Sequence, residues 1–239
     1  MSIIEKIKHY IPILIGIIYM IYFYIFLTFA YQNGWIILLK DISLSNIGTV
    51  FLVDCGSMLI FPLVLIMIYR KNVNEFAFKK SKLAIILVVI YILFFILHKD
   101  YTINGIYRAF FYLFIVAFPE EIIYRGYLYN FLKKYNRISA IIISGILFGI
   151  MHSILPSIIS ETSISIMVKD MFNHAGGGVL SSFIFILYLE KSDSIFIPIL
   201  IHALLDYSYS ALGILVAIIV LVYLLVVNKR NKEQKTFFK

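Results

Sequence analysis

Pro119-Glu120-Glu121-Ile122-Ile123-Tyr124-Arg125 sets two adjacent carboxylates and a guanidinium inside sequence that is otherwise apolar. NGIYRAFFYLFIVAF precedes it over 104–118, and GYLYNFL follows over 126–132. A charged side chain at the centre of a bilayer costs at least about 2.5 kcal/mol, so intramembrane acids face a polar cavity and carry function. Two acids in succession, with Arg four residues past the second, read as a site. The rest of the chain is read for what completes it.

The 239 residues are 62% hydrophobic and only 14% charged, with a mean hydropathy of +0.96. A soluble domain is closer to half apolar and a quarter charged. The composition predicts an all-α polytopic membrane protein of about eight transmembrane helices, with a catalytic cavity within the bundle. The net charge of +8 does not point to nucleic acid, because the basic residues cluster between apolar runs and at the C-terminus, as the positive-inside rule expects. The single cysteine, Cys55, rules out an intramolecular disulfide or a multi-cysteine metal site. The apolar run from Ile11 to Ala30 is too long for a signal h-region and lacks a small-residue cleavage site, so it reads as a retained first helix. The tail Lys-Thr-Phe-Phe-Lys carries no lipidation box.

Spanning helices need roughly 20 apolar residues. The expected spans are 10–30, 48–68, 83–98, 110–132, 138–154, 171–189, 195–208 and 211–227. One membrane domain, 1–239, then divides into N-terminal helices (1–103), a motif-bearing core (104–208) and a last helix with a basic tail (209–239). An even number of spans puts both termini on one side. The basic loop 70–82, the turn 133–137, the tail from Lys229, Lys6 and Lys8 all fall on that side, which the charge bias makes cytoplasmic. Residues 104–134 exceed one span, which predicts an interfacial or re-entrant start and a kink at Pro119. Residues 153–170 read as a short helix lying at the outer interface. The abundance of Ile, Lys, Asn and Tyr hints at an AT-rich, bacterial genome.

The ionisable groups within the spans are few: Asp54, Glu120, Glu121, Arg125, His152, His202 and Asp206, with His174 near an end. Glu120 lies sixteen positions before Asn136, the centre of the basic turn, and His152 sixteen after it. At about 1.5 Å per residue both stand at the same depth along a helical hairpin. His202 and Asp206 are four apart, on one helical side, as are Phe148 and His152. Glu120 and Glu121 are about 100° apart on a helix. Glu121 therefore pairs with Arg125 at i,i+4, which leaves Glu120 for another partner. A carboxylate beside an imidazole suits abstraction of a proton from water, and His202 suits donation to an oxyanion. Spacing alone leaves a proton-coupled carrier equally open. Asp54, alone in the second span, reads as a local hydrogen bond or helix contact, and the run Gly176-Gly177-Gly178 as close helix packing.

Three motifs in order resemble the CPBP family (CAAX proteases and bacteriocin-processing enzymes, also called Abi), which are intramembrane glutamic proteases. Glu120-Glu121-x-x-x-Arg125 matches the first motif, Phe148-x-x-x-His152 the second and His202-x-x-x-Asp206 the third. The resemblance covers about 110–208. It implies an intramembrane endopeptidase in which Glu120 is the general base and His152 its partner in activating water. His202 and Asp206 would form the oxyanion site, and Glu121, Arg125, Phe148 and Tyr124 would support them. An ionised Asp cannot donate to an oxyanion, so Asp206 is expected to orient His202 instead. The implied substrates are membrane-associated peptides or lipidated protein tails, of the pheromone, bacteriocin-precursor or CAAX type. The implied setting is the cell membrane as a multi-pass protein, with the lipid bilayer as partner and no nucleic acid. No cofactor is expected. The competing readings are a zinc enzyme using Glu120, His152 and His202, a non-proteolytic immunity or scaffold protein of the same fold, and the carrier, against which no inverted repeat is found.

Overall fold

The computed structural model describes residues 3–208 and 211–237. Among them eight long helices follow the apolar runs: α1 (Ile3–Gln32), α2 (Ile47–Ile68), α3 (Lys82–His98), α4 (103–132), α5 (Arg137–Ile159), α6 (Ile164–Ser192), α7 (Phe196–Ser208) and α8 (Ala211–Phe237). No strand occurs among the described residues. Helices α1, α2, α5, α6 and α8 are long and apolar enough to cross a membrane, and α3 and α7 are shorter apolar helices. The molecule is an all-α polytopic membrane protein. The side chains of Lys6 and Lys8, and the last residues of the basic tail, lie outside the described set.

Helix starts are set by side-chain caps. Thr102, Asn136 and Ser163 accept hydrogen bonds from the backbone N–H groups of Gly105, Ser139 and Ile166, opening α4, α5 and α6, and so satisfy donors that a first turn leaves free. Lys99 and Asp193 adopt left-handed conformations, φ 53° and 56°, and close α3 and α6 where glycine would be usual.

The basic loops gather at one end of the bundle. Ile195 N–H donates to Ala77 O at 2.9 Å, and the Ser194 hydroxyl donates to Lys79 O at 2.6 Å. Lys79 pairs with Asp193, and Lys134 with Glu75. Arg137 grips Glu190 through both Nε and Nη2 at 2.8 Å. Phe76, fully buried, anchors the loop after α2 among Tyr69, Phe78, Tyr127 and Phe131. At the opposite end Tyr31 donates to Glu161 at 2.9 Å. Alternation of the helices thus collects the loops as the span order predicts, and the start of α7 is locked to the 70–82 loop. Asp54 accepts from the Tyr107 hydroxyl of α4 at 2.7 Å, a contact between helices.

Two expectations are corrected. Residues 153–170 do not form a separate interfacial helix. Helix α5 runs on to Ile159 and α6 starts at Ile164, because Ser163 caps the second helix and Glu161, at φ 49°, completes a tight turn between them. Residues 103–132 form one continuous helix with no re-entrant start. Its irregularity takes the form of π-turns over Phe111–Ala117 and Ile122–Tyr129, on either side of the α-turn Phe118–Glu121. Pro119 has no N–H to donate back to the preceding turn, and widened turns of this kind are frequent at functional sites.

Helices α5 and α6 approach at their glycines. A Cβ on Gly145 would stand 2.5 Å from Val179 Cα, one on Gly149 2.3 Å from His174 O, and one on Gly178 2.3 Å from Gly145 O. All three obstacles are backbone, which cannot turn aside. Gly176 and Gly177, by contrast, would meet nothing within 4 Å. Only one glycine of that run therefore serves helix packing. Gly149→Ala should destabilise the purified protein by about 1–3 kcal/mol through overpacking, whereas Gly176→Ala should be neutral or slightly stabilising. Thermal unfolding in one detergent compares them, and equal effects would refute the assignment.

Candidate active site

The turn Phe118–Glu121 places Glu120 and Glu121 inside the bundle, 6% and 0% exposed, with Arg125 one turn on at 0%. Glu121 is engaged through one oxygen. Its Oε1 accepts from His202 Nδ1 at 2.9 Å and lies 3.2 Å from Arg125 Nη1. The Arg125 guanidinium lies flat among aromatics, its Cζ 4.1 Å from the Phe148 ring centre and 5.1 Å from that of Phe185. Cation–π contact of this kind strengthens when water is excluded. Three helices, α4, α5 and α7, therefore meet on one carboxylate, one guanidinium and one imidazole, with α6 adding Phe185.

Glu120 is differently placed. Among the described residues no group hydrogen-bonds to its Oε2. Its Oε2 stands 3.7 Å from His202 Nε2, and it lies within electrostatic range of His152, His202, Asp206 and Arg125. His202 therefore has one nitrogen on each glutamate. A carboxylate only accepts, so Nδ1 carries the proton given to Glu121. Nε2 points between Glu120 and Asp206 Oδ2, which is 3.4 Å away. Asp206 is half-buried at the rim.

The structure brings Glu120, Glu121, Arg125, His202 and Asp206 together directly. His202 is oriented at Nδ1 by Glu121, while Asp206 attends the other nitrogen. His202 Nε2 is 3.7 Å from Glu120, and His152 acts on the same carboxylate electrostatically. His152 is exposed on α5, its ring 4.4 Å from that of Phe148. Its Nδ1 is bound to Phe148 O at 2.8 Å. Tyr124 packs edge-on to Phe148 at 5.2 Å and backs onto Tyr19 of α1. Phe148 thus lies over the guanidinium of Arg125 and against the ring of His152.

Two further side chains belong to this region: Phe185, which sequence reasoning passed over, and His174, which it noted only as lying near the end of a span. Phe185 packs against both Arg125 and His202, 5.1 Å from each. It is one of 21 phenylalanines, and no spacing marks it out. His174 lines a pocket with His152 between α5 and α6. The i,i+4 geometry of α5 could not reveal this, because the pocket depends on how two helices cross. Among the described residues no group of three or more His, Cys, Asp or Glu side chains is arranged to hold a metal ion.

The pairing of Glu121 with Arg125 has a measurable consequence. Removal of one member of a buried ion pair costs about 3–5 kcal/mol, because the other is left charged without a partner. Arg125→Met should therefore lower thermal stability strongly, and Glu121→Gln with Arg125→Met should recover part of the loss. A double variant no more stable than the single one would contradict the pairing.

Comparison with known proteins bears on the same segment. Residues 102–208 match the family model described as Rce1-like, type II CAAX prenyl endopeptidase Rce1-like. No curated protein and no solved structure matched the chain. The matched segment opens at the cap of α4 and closes at the end of α7, so it holds all three motifs and every residue of the charged cluster. Over residues 102–208 this membrane protein is similar to the Rce1-like family of CAAX prenyl endopeptidases, a protease family of the CPBP type.

Proposed function

We propose that the protein is an intramembrane endopeptidase of the glutamic type, with Glu120 as the general base. The observation that carries this reading is the contrast between adjacent carboxylates. Glu121 is committed through Oε1 to Arg125 and His202, while Glu120 is buried with no ion pair to Arg125 and its Oε2 without a hydrogen-bond partner among the described residues. A buried, uncommitted carboxylate beside imidazoles is equipped to take a proton from water.

In the proposed reaction Glu120 removes a proton from a water molecule as its oxygen attacks the carbonyl carbon of the scissile peptide bond. The tetrahedral intermediate carries its charge on the former carbonyl oxygen. His202, held at Nδ1 by Glu121, has Nε2 directed to the same space, and in its doubly protonated form donates to that oxyanion. Asp206 keeps Nε2 in place. His152, exposed on α5, assists by accepting a hydrogen bond from the attacking water. Glu120 then returns its proton to the leaving nitrogen, the C–N bond breaks, and a carboxylate and an amine depart.

The substrates proposed are membrane-associated peptides or protein tails, of the CAAX or pheromone and bacteriocin-precursor type. The basic end of the bundle, with both termini, is assigned to the cytoplasm of a bacterial cell. The reading takes hydrolysis by Glu and His without metal; Nε2 of His202, with Nδ1 held by Glu121, is the nitrogen that a zinc ion would use instead, which makes chelator the discriminating reagent.

Peptide release by wild type, Glu120→Gln and His152→Ala in liposomes, with and without chelator, tests this reading. Glu120→Gln should lose at least a hundredfold in rate, in line with about 10²–10⁴-fold for a general base, and chelator should change nothing. Loss with chelator and rescue by zinc would establish a metalloenzyme. Equal complementation of a knockout by all three proteins would establish a scaffold or immunity role.

A further inference from the structure

A pocket of about 320 Å³ opens between α5 and α6 against the outer face of Phe148, lined by His152, Asn173, His174, Gly177 and Ser181 among others. It borders the charged cluster through one aromatic ring. Its two imidazoles share a local geometry. His152 Nδ1 is 2.8 Å from Phe148 O, and His174 Nδ1 is 2.8 Å from Asp170 O. A backbone carbonyl can only accept, so in both rings Nδ1 bears the hydrogen, and the neutral ring presents the lone pair of Nε2. Ser181 and Asn173 add neutral polar groups, and no carboxylate, ammonium or guanidinium lines the pocket.

The glycines of α6 fit this arrangement. Gly178 is required for the approach of α5, whereas a Cβ on Gly177 would meet nothing within 4 Å. Packing does not explain Gly177, but a bare wall does, since any side chain there would occupy the pocket. The volume is at the small end of the roughly 300–1,000 Å³ of ligand pockets. It holds one or two residues of a peptide.

We propose that this pocket is the subsite for the substrate residue beside the scissile bond, with His174 as its specificity-determining side chain. The inference rests on the peptidase reading above. With Nε2 of His152 given to the attacking water, the Nε2 lone pair of His174 asks for a hydrogen-bond donor and repels a carboxylate. The favoured residue is therefore neutral and donor-bearing, such as Gln, Asn, Ser or Tyr. Gly177 sets the depth.

A pooled library of short peptides on a fixed transmembrane anchor, with cut bonds read by mass spectrometry, tests the assignment. At one position flanking the cut, wild type should favour Gln, Asn, Ser and Tyr over Glu and Asp. His174→Leu should shift that position toward aliphatic residues by on the order of tenfold or more, since a polar site and an apolar one discriminate oppositely. Gly177→Leu should confine it to Gly and Ala. Unchanged profiles, or a uniform loss of rate across the library, would overturn the proposal.

A second measurement needs no turnover. In Glu120→Gln protein carrying Cys55→Ser and Gly177→Cys, the same library should slow alkylation of the introduced thiol by a membrane-permeant maleimide. Labelling indifferent to the library would overturn the subsite. Cutting by Glu120→Gln at the wild-type rate counts against Glu120 as base and leaves the labelling result to decide the subsite.

Discussion

Glu121, Arg125 and His202 form a closed electrostatic unit at the heart of an apolar bundle. Neither of the first two is exposed at all, and burial of an unpaired charge is too costly to persist. The contacts at 3.2 Å and 2.9 Å therefore decide how α4 and α7 face one another, and the ring of Phe148 over the guanidinium brings in α5. Everything around the site is arranged to let this unit exist. The basic loop 70–82 fastens the start of α7, Tyr19 of α1 backs the cluster through Tyr124, and Phe185 closes it from α6.

Adjacent positions on one helix then acquire opposite fates. Because successive residues diverge by about 100°, only Glu121 can reach both Arg125 and His202. Glu120 faces the other way, onto Nε2 of the same imidazole, and its Oε2 forms no hydrogen bond to the described residues. One glutamate stabilises the architecture and the next is left chemically available. The single α-turn between two π-turns holds this divergence in place, since widened turns on either side shift the register of all that precedes and follows.

Much of this was legible in the sequence because membrane helices write their spacing directly. The eight helices follow apolar runs, and the i,i+4 relation of Glu121 and Arg125 is a property of one helix. What could not be read depends on contacts between helices. Equal depth suggested His152 as a neighbour of Glu120, and the two do interact electrostatically, but depth does not give the rotation of a helix about its axis and could not show that α7 sets His202 Nε2 3.7 Å from the same carboxylate. The turn at 160–163 was hidden because its residues are semi-apolar, and a left-handed Glu161 has no sequence signature. The places of His174 and Phe185 became visible only once the Gly145, Gly149 and Gly178 contacts had fixed the α5–α6 crossing.

The division of labour between the two glutamates is the central claim. The most direct measurement is a side-by-side comparison of Glu120→Gln and Glu121→Gln, recording the thermal unfolding midpoint and residual peptide cleavage on the same purified samples. The account predicts that Glu120→Gln keeps the wild-type midpoint and loses cleavage, while Glu121→Gln loses stability because Arg125 is left buried without its counter-charge. A fall in stability for Glu120→Gln with cleavage retained, or a Glu121→Gln protein as stable as wild type, would contradict it.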